Sequence, residues 1–529
     1  MITSPETFTP DERKALAPFF TNLDSHVFAL TNLPETVKGA LFARYSRSAK
    51  SLRRLFLDEF AGNLAGAHAA ASTVGVERAE KLYAKVFSDY GDDSVAQLGG
   101  AHIACEYVSN ILTKILEWGR LMAYLEQSTR YVPYTDTLHG RWRYHVPAEV
   151  QGALRDRYVK TMDAAFESYA SLIDGMQAHF AARYPRAPQD SEGVHRAAIR
   201  AKALDTLRGM LPAATQSNVG LYGTGQAYES LLLRMRAHPL DEVRQCADLM
   251  LAELRKLVPA FLTRVDQPDR GGRWSRYLAS TRDATRLVAG TLLGGVGAQP
   301  RDEVTLADFD PDGEIKIVAA ALYAASDLPD DQLLAIARGL TADERASVLR
   351  AYAGDRGNRR HRPGRAFERT SYRFDVLTDY GAFRDLQRHR LLTLEWQPLS
   401  TRHGYSEPDA LREAGVVDGW TTVMDASSDL YEALRSAGLE AAAPYAVAMA
   451  YRVRFYMDMN AREAMHVIEL RTAPQGHPAY RRVCQQMHAL IADRAGHTAV
   501  AAAITFADHS EVELERLKAE RELERKRRP

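Results

Sequence analysis

The chain carries one short pattern twice, and this internal repeat constrains its fold more than any other feature. Ser128-Thr129-Arg130 returns as Ser400-Thr401-Arg402. The same downstream markers follow each copy: Leu233, Arg234, His238, Pro239, Arg244 and Cys246 in the first half, and Leu470, Arg471, His477, Pro478, Arg482 and Cys484 in the second. Such a repeat predicts a duplicated scaffold. Arginines beside serine hydroxyls favour phosphate recognition on it.

Length and composition narrow the class of protein. A chain of 529 residues is too long for one compact core and predicts several domains. Lys plus Arg equals Asp plus Glu, 68 of each, so no global field favours nucleic acid polymers or anionic membranes. The three cysteines are far apart, which argues against zinc and for a reducing compartment. Without a signal or membrane-spanning pattern, we expect a cytoplasmic protein.

Hydrophobic spacing predicts several elements near the repeated motifs. Apolar residues step by three or four over 154–180, which is typical of a long helix. Alternation predicts a short strand over 141–148 and another through Tyr372, Phe374 and Val376. A helix over 381–391 is expected to end in Arg388-His389-Arg390. The Gly- and Pro-rich stretch between 265 and 310 favours a linker.

The candidate chemistry is cationic rather than nucleophilic. Ser128 and Arg130 offer a hydroxyl and a guanidinium fork to one phosphate, although an isolated Ser-x-Arg is more often a surface turn. Arg388-His389-Arg390 is either an anion-binding group or a basic helix end stabilised by the helix dipole. No phosphate loop, GxSxG elbow or metal-ligand spacing occurs. An enzyme of this kind would depend on a bound cofactor and no metal.

These residues resemble the flavin-dependent thymidylate synthases of the ThyX type, whose signature begins Arg-His-Arg and continues to Ser-x-Arg-Tyr. The second half is similar to this family over about 303–495, and the first half more distantly over about 40–260. The resemblance implies an α+β fold with two ThyX-like modules in tandem, each with a mixed or antiparallel sheet and long helices. The expected domains are an N-terminal module over 1–270 with a helical extension, a linker over 271–302, a second module over 303–510 and a charged helix or tail over 511–529.

The resemblance also implies residue roles. The nucleotide-binding positions would be Ser128, Arg130, Tyr131 and Arg208, all in the first half. The cofactor-binding positions, in the second half, would be Arg388, His389, Arg390, Asn460, Arg462 and His477. The catalytic positions would be Glu126, Arg234 and Arg471.

Each half departs from the signature where the other keeps it. Trp118-Gly119-Arg120 replaces Arg-His-Arg in the first half, and Thr393-Leu394-Glu395-Trp396 departs from Ser-x-Asn-Glu in the second. Ala123 replaces a Ser, and Pro444 stands where an Arg is expected. A tandem chain that dimerises into a pseudo-tetramer would tolerate the loss of signature residues in one half if the other half keeps them. We therefore expect a homodimer that combines residues of both halves in shared sites.

The implied activity is methylation of the uracil ring of a nucleotide. The simplest form converts dUMP to dTMP with FAD as cofactor and with methylenetetrahydrofolate and NADPH as co-substrates. The departures at Ala123, Thr393 and Trp396 leave open a methylase of UMP or of a modified pyrimidine nucleotide. The defects in both halves leave open an inactive protein that binds a nucleotide or flavin.

Overall fold

The structure is a computed structural model that describes residues 6–25, 28–45, 48, 50–61 and 97–527. Part of the predicted N-terminal helical extension therefore lies outside the described residues. Two compact units are present, and neither is continuous in sequence. Of the described residues, the first unit holds those up to 106, 121–126 and 218–296, and the second unit holds 107–120, 127–217 and those from 297 onward. The boundaries of the two expected modules stay a prediction.

The seven described strands form two sheets. The three-stranded sheet has the order β1-β3-β2 and the four-stranded sheet the order β4-β5-β7-β6. The strands are β1 Gly100–Ser109, β2 Met122–Glu126, β3 Gln216–Thr224, β4 Val304–Phe309, β5 Ser371–Asp379, β6 Thr393–Trp396 and β7 Arg452–Asn460. Each pairing with a described register is antiparallel. Antiparallel sheets combined with long helices confirm the predicted α+β class.

Helices make up most of the remaining chain. In the order of the sequence the α-helices are α1 Pro10–Leu16, α2 Glu35–Tyr45, α3 Leu52–Leu55, α4 Asn110–Leu116, α5 Gly152–Arg183, α6 Glu192–Leu207, α7 Gly225–Arg236, α8 Asp241–Leu254, α9 Gly271–Leu293, α10 Gly313–Tyr323, α11 Asp330–Gly339, α12 Ala342–Ala353, α13 Tyr380–Leu386, α14 Ala410–Glu413, α15 Val417–Ser436, α16 Ala461–Arg471, α17 Pro478–Asp493, α18 Thr498–Ala503 and α19 Leu517–Arg527. None of the helices in these ranges is both long and apolar enough to cross a membrane.

The hydrophobic pattern explains the principal elements of the second unit. On α5 the buried residues include Tyr158, Met162 and Phe166, which recur at helical spacing and confirm the predicted long helix. On β5 the buried Tyr372 and Phe374 alternate with more exposed residues, which confirms the predicted strand. The strand pairs with β4 on one side and β7 on the other, so it lies inside the sheet.

Two predictions about local structure differ from the structure. The stretch 141–148 forms no strand and only isolated bridges, such as Tyr144 with Thr215, because it has no continuous partner strand. The helix expected to end in Arg388-His389-Arg390 ends earlier, at Leu386. The segment 271–302, expected to be a linker, contains the 23-residue helix α9, and its role as a linker stays a prediction.

Candidate functional site

Four arginines surround one buried carboxylate in the second unit. Asp385 lies on α13, and Arg388, three residues further on, donates a hydrogen bond to it. Nη1 of Arg471 lies 3.6 Å from its Oδ1, and Nη1 of Arg208 lies 3.7 Å from its Oδ2. Burial alone would raise the pKa of Asp385, but these three guanidinium groups and that of Arg130 hold it well below its usual range. We call Arg130, Arg208, Arg388, Arg471 and Asp385 the arginine cluster.

The cluster combines residues of both sequence halves within one unit. Arg130 and Arg208 come from the first half, and Arg388 and Arg471 come from the second. Arg208 begins a short 3-10 helix directly after α6, and Arg471 is the last residue of α16. Four like charges can lie this close only because carboxylates are buried among them.

Arg130 is occupied by partners inside the protein. Its Nε lies 2.8 Å from Oδ1 of Asp205 and its Nη2 lies 2.7 Å from Oδ2, so the two groups form a bidentate ion pair. Nη1 donates to the hydroxyl of Tyr480 at 3.0 Å, and Nη2 also donates to the carbonyl of Gln475 at 3.2 Å. Burial lowers the pKa of Arg130, but Asp205 more than offsets this and leaves the pKa raised. Most of the donors of this guanidinium are therefore already used.

Arg208 differs from Arg130 in its hydrogen bonding. Its Nη2 is buried and has no hydrogen-bond partner among the described residues. A Cβ at position 381 would lie 3.1 Å from this nitrogen, so Gly381 leaves room for the guanidinium. Arg208 lines a cavity of about 530 Å³. The other charged residues or histidines of the lining are Arg183, Lys202, Asp205, Asp379, Glu407, Asp409, Glu413, Arg452, His477, Arg482 and Glu515.

His389 lies between the arginine cluster and a buried glutamate. Its Nε2 accepts a hydrogen bond of 2.9 Å from Nε of Arg471, and its Nδ1 lies 3.6 Å from Oε1 of Glu463. Burial, with the charge of Arg471, lowers the pKa of His389 well below its usual value, so the ring is neutral. Burial raises the pKa of Glu463 to about 7.

The cofactor-side residues at the start of α16 also have partners within the protein. Oδ1 of Asn460 accepts from the backbone N–H of Glu463 at 2.9 Å and so caps the helix. Nε of Arg462 donates to the carbonyl of Pro363 at 2.8 Å, and its Nη1 donates to Glu368 at 3.2 Å. Asn460 and Arg462 thus lie at the N-terminal end of α16, whereas Arg471 lies at its C-terminal end.

His477 caps α17 and lines the cavity beside Arg208. Its Nδ1 accepts from the backbone N–H of Ala479 at 3.2 Å, which leaves Nε2, 3.4 Å from the carbonyl oxygen of Asp205, to carry the proton. Burial lowers the pKa of His477 well below its usual value, assisted by Arg208. The ring is therefore a neutral donor at the cavity wall.

The remaining predicted residues have different surroundings. Oγ of Ser128 accepts from the backbone N–H of Arg130 at 3.2 Å and so stabilises the turn. The ring of Tyr131 is half exposed, and the guanidinium of Arg516 lies 4.4 Å from its centroid. Arg390 is exposed. Glu126, buried at the end of β2, and Arg234, half-buried on α7, belong to the first unit, and their catalytic roles stay predictions.

The positions where each half departs from the signature contact each other in the second unit. Nε1 of Trp118 donates to the carbonyl of Leu394 at 3.3 Å, and Arg120 donates to the hydroxyl of Thr393 at 3.0 Å. The rings of Trp118 and Trp396 pack edge to face with centroids 5.7 Å apart. The altered motifs thus form a packing contact with each other.

Sequence reasoning missed the anionic members of the site. Asp385 lies three residues before Arg388, and Asp205 three before Arg208, a spacing at which helical ion pairs form. That spacing was an available signal for Asp385, which does pair with Arg388. For Asp205 the same spacing points to Arg208, whereas its ion-pair partner is Arg130, which is distant in sequence.

Comparison with known proteins gives the family. The model of the family described as "thymidylate synthase complementing protein" matches residues 40–260 and 305–495. A UPF0159 protein of Chlamydia muridarum is 37% identical over 98% of this chain and 99% of its own length. A UPF0159 protein of Thermoplasma acidophilum is 28% identical over 91% of this chain and 97% of its own length.

More distant similarity reaches proteins with a stated activity. A flavin-dependent thymidylate synthase of Clostridium tetani is 24% identical over 36% of this chain and 74% of its own length. The solved structure of the UMP/dUMP methylase PolB from Streptomyces cacaoi, bound with 5-Br dUMP, is 21% identical with a TM-score of 0.30, over 39% of this chain and 97% of that chain. With its two matched segments, the chain belongs to the thymidylate synthase complementing protein family, the ThyX family.

Proposed function

We propose that the protein methylates the uracil ring of a pyrimidine nucleotide in a flavin-dependent reaction, most simply dUMP to dTMP. FAD would be the cofactor, methylenetetrahydrofolate the carbon donor and NADPH the reductant. Membership of the ThyX family and the two matched segments support the reaction class. Enzymes of this kind need the protein to bind and orient an anionic substrate rather than to supply a nucleophile.

The observation that carries the proposal is Arg208, a buried arginine with an unused donor beside a cavity. A buried guanidinium N–H without a partner is unfavourable, and a phosphate oxygen would satisfy it. Arg388 and Arg471 lie against the same carboxylate and add positive charge. A cavity of about 530 Å³ falls in the range of small-molecule sites. We assign Arg208 as the main phosphate ligand, with Arg130 as a supporting residue held by Asp205.

The residues present fit an anionic cofactor as well as a nucleotide. Bound flavin would supply the hydride chemistry that no side chain of the cluster provides. Arg388, Arg390 and Arg462 are permanently charged donors suited to phosphate oxygens. Neutral His477, whose Nε2 proton faces the carbonyl oxygen of Asp205, would form a polar part of the cavity wall without adding charge. The task of these residues is to bind, orient and exclude water.

Replacing Arg208 tests the proposal directly. Arg208→Ala should weaken binding of dUMP at least about tenfold, because a charge-assisted contact is lost. Isothermal titration calorimetry of the full chain with dUMP and with UMP measures the loss and the preference between the two. Each half keeps only part of the signature, and the altered parts are used to pack against each other. We therefore expect the two halves together to bind about one nucleotide per chain.

Arg402→Ala is the matched control, since Arg402 is the exposed counterpart of Arg130 and is absent from the cavity lining. Wild-type affinity for both nucleotides in Arg208→Ala would reject the assignment of Arg208. No turnover of either nucleotide by the FAD-loaded wild type with NADPH and methylenetetrahydrofolate would reject the proposed reaction.

A further inference from the structure

The ring of His389 connects two side chains of one helix. Glu463 and Arg471 lie eight residues apart on α16, a separation of about 12 Å along the axis, and positions at this spacing share one face. The ring is buried between them, with Nε2 2.9 Å from Nε of Arg471 and Nδ1 3.6 Å from Oε1 of Glu463. Both ring nitrogens are therefore directed at α16.

The hydrogen bond from Arg471 shows where the proton of His389 lies. The Nε of an arginine side chain can only donate, so Nε2 of His389 must present its lone pair. A neutral imidazole carries a single proton, which must then be on Nδ1. That nitrogen is the one nearest Glu463. At 3.6 Å the contact is longer than a hydrogen bond, but the carboxylate still favours a proton on the nitrogen that faces it.

A metal centre is the other interpretation of this group. His389, Glu463 and His466 place one possible ligand atom each within 4.8 Å of one another. A metal on Nδ1 of His389 would require an imidazolate, because Nε2 already accepts from Arg471. Nη2 of Arg362 lies 3.2 Å from Nδ1 of His466, so a cation would also meet a guanidinium there. The group is therefore better described as a relay of polar contacts.

We propose that Glu463 is a positioning residue of the candidate site, which directs the Arg471 guanidinium through the tautomer of His389. With the proton on Nδ1, Nε2 accepts from Arg471 and holds its guanidinium beside Asp385. With the proton on Nε2, that contact becomes repulsive and Arg471 turns away. The consequence for ligand binding rests on the proposed function, because Arg471 belongs to the arginine cluster assigned to the nucleotide.

Two substitutions separate this role from simple packing. Glu463→Leu removes the acceptor and fills a similar volume. Glu463→Gln keeps an oxygen that can face Nδ1 and therefore should rescue the tautomer. Glu432→Leu is the control, because Glu432 is an exposed partner of Arg435 on α15, away from this group.

The tautomer is measured without any ligand by ¹⁵N solid-state NMR of the full chain labelled in its histidines, with the His389 signals assigned by their loss in His389→Asn. Above pH 7, where the carboxyl group of Glu463 is ionised, the wild type should carry the proton on Nδ1, and so should Glu463→Gln. Glu463→Leu should show a substantial Nε2-protonated population. An Nε2-protonated ring in the wild type would overturn the proposal even if no variant at position 463 folds.

Calorimetry with dUMP measures the consequence for binding. Glu463→Leu should bind dUMP about tenfold more weakly, Glu463→Gln less than about threefold, and Glu432→Leu as the wild type does. Equal affinity and an unchanged tautomer in Glu463→Leu would overturn the positioning role. If the wild type itself binds no nucleotide, the proposed function fails, and the tautomer measurement still decides the role of Glu463.

Discussion

The two Ser-Thr-Arg turns have the same sequence but different environments. In the first, Arg130 is buried and forms a bidentate ion pair with Asp205 of α6. In the second, Arg402 is exposed and has no hydrogen-bond partner among the described residues, while Thr401 accepts from the hydroxyl of Ser428. The difference lies in what packs against each turn. A buried arginine requires a nearby carboxylate, which Asp205 supplies at the first turn.

Removing the carboxylate beside the first turn should have the largest effect on stability. Asp205→Ala leaves Arg130 buried without its ion-pair partner, and breaking a buried pair in this way costs about 3–5 kcal/mol. Urea denaturation of the full chain, followed through the transition of the second unit, measures the loss.

The double variant Arg130→Met, Asp205→Leu is the control, since it removes both charges and should recover most of the stability. An unchanged free energy of unfolding in Asp205→Ala would mean that Arg130 is not buried as a charge.

Glu463 extends the comparison to a buried carboxyl group that lacks a close ion pair. Burial raises its pKa from 4.5 to about 7. The folded protein therefore keeps this proton at a pH where the unfolded chain has lost it. The resulting stability is fully present below pH 4.5 and is lost as the pH rises through 7. At about 1.4 kcal/mol per pKa unit, the loss is at most about 3.5 kcal/mol.

Glu463→Gln should lack this decline, so its stability relative to the wild type should increase between pH 5 and pH 8. Denaturant titrations at both pH values give the difference, and His389, which is common to both proteins, cancels from it. Parallel pH profiles for the two proteins would show that Glu463 titrates normally.

Arg402→Ala should have the smallest effect. An exposed side chain that has no hydrogen-bond partner among the described residues contributes within about 0.5 kcal/mol, so both stability and dUMP affinity should stay near the wild-type values. A loss comparable to that of Asp205→Ala would show that the second turn is as important as the first and would remove the contrast between them.

The sequence was sufficient to predict helices and strands whose hydrophobic residues recur at a regular spacing. The spacing of Tyr158, Met162 and Phe166 predicted α5, and the alternation through Tyr372 and Phe374 predicted β5. The spacing of hydrophobic residues was insufficient where strand formation depends on a neighbouring strand. The stretch 141–148 alternates but has no strand to pair with along its length.

The candidate site was predictable on its cationic side only. Motif resemblance indicated the arginines of the cluster, because each of them lies in a short motif that is local in sequence. The carboxylates that allow these arginines to lie together are distant in sequence from at least one partner, as Asp205 is from Arg130. Which donors remain available, as on Arg208, depends on that packing and cannot be obtained from spacing.

The arginine cluster and Asp205 have a consequence for electroneutrality. Four guanidinium groups meet the carboxylates of Asp205 and Asp385. A third carboxyl group, that of Asp379, is buried beside Arg208, and burial raises its pKa, which favours its neutral form. The cluster therefore keeps an excess of positive charge. Under the proposed function, a phosphate monoester, which carries about two negative charges at neutral pH, would offset this excess.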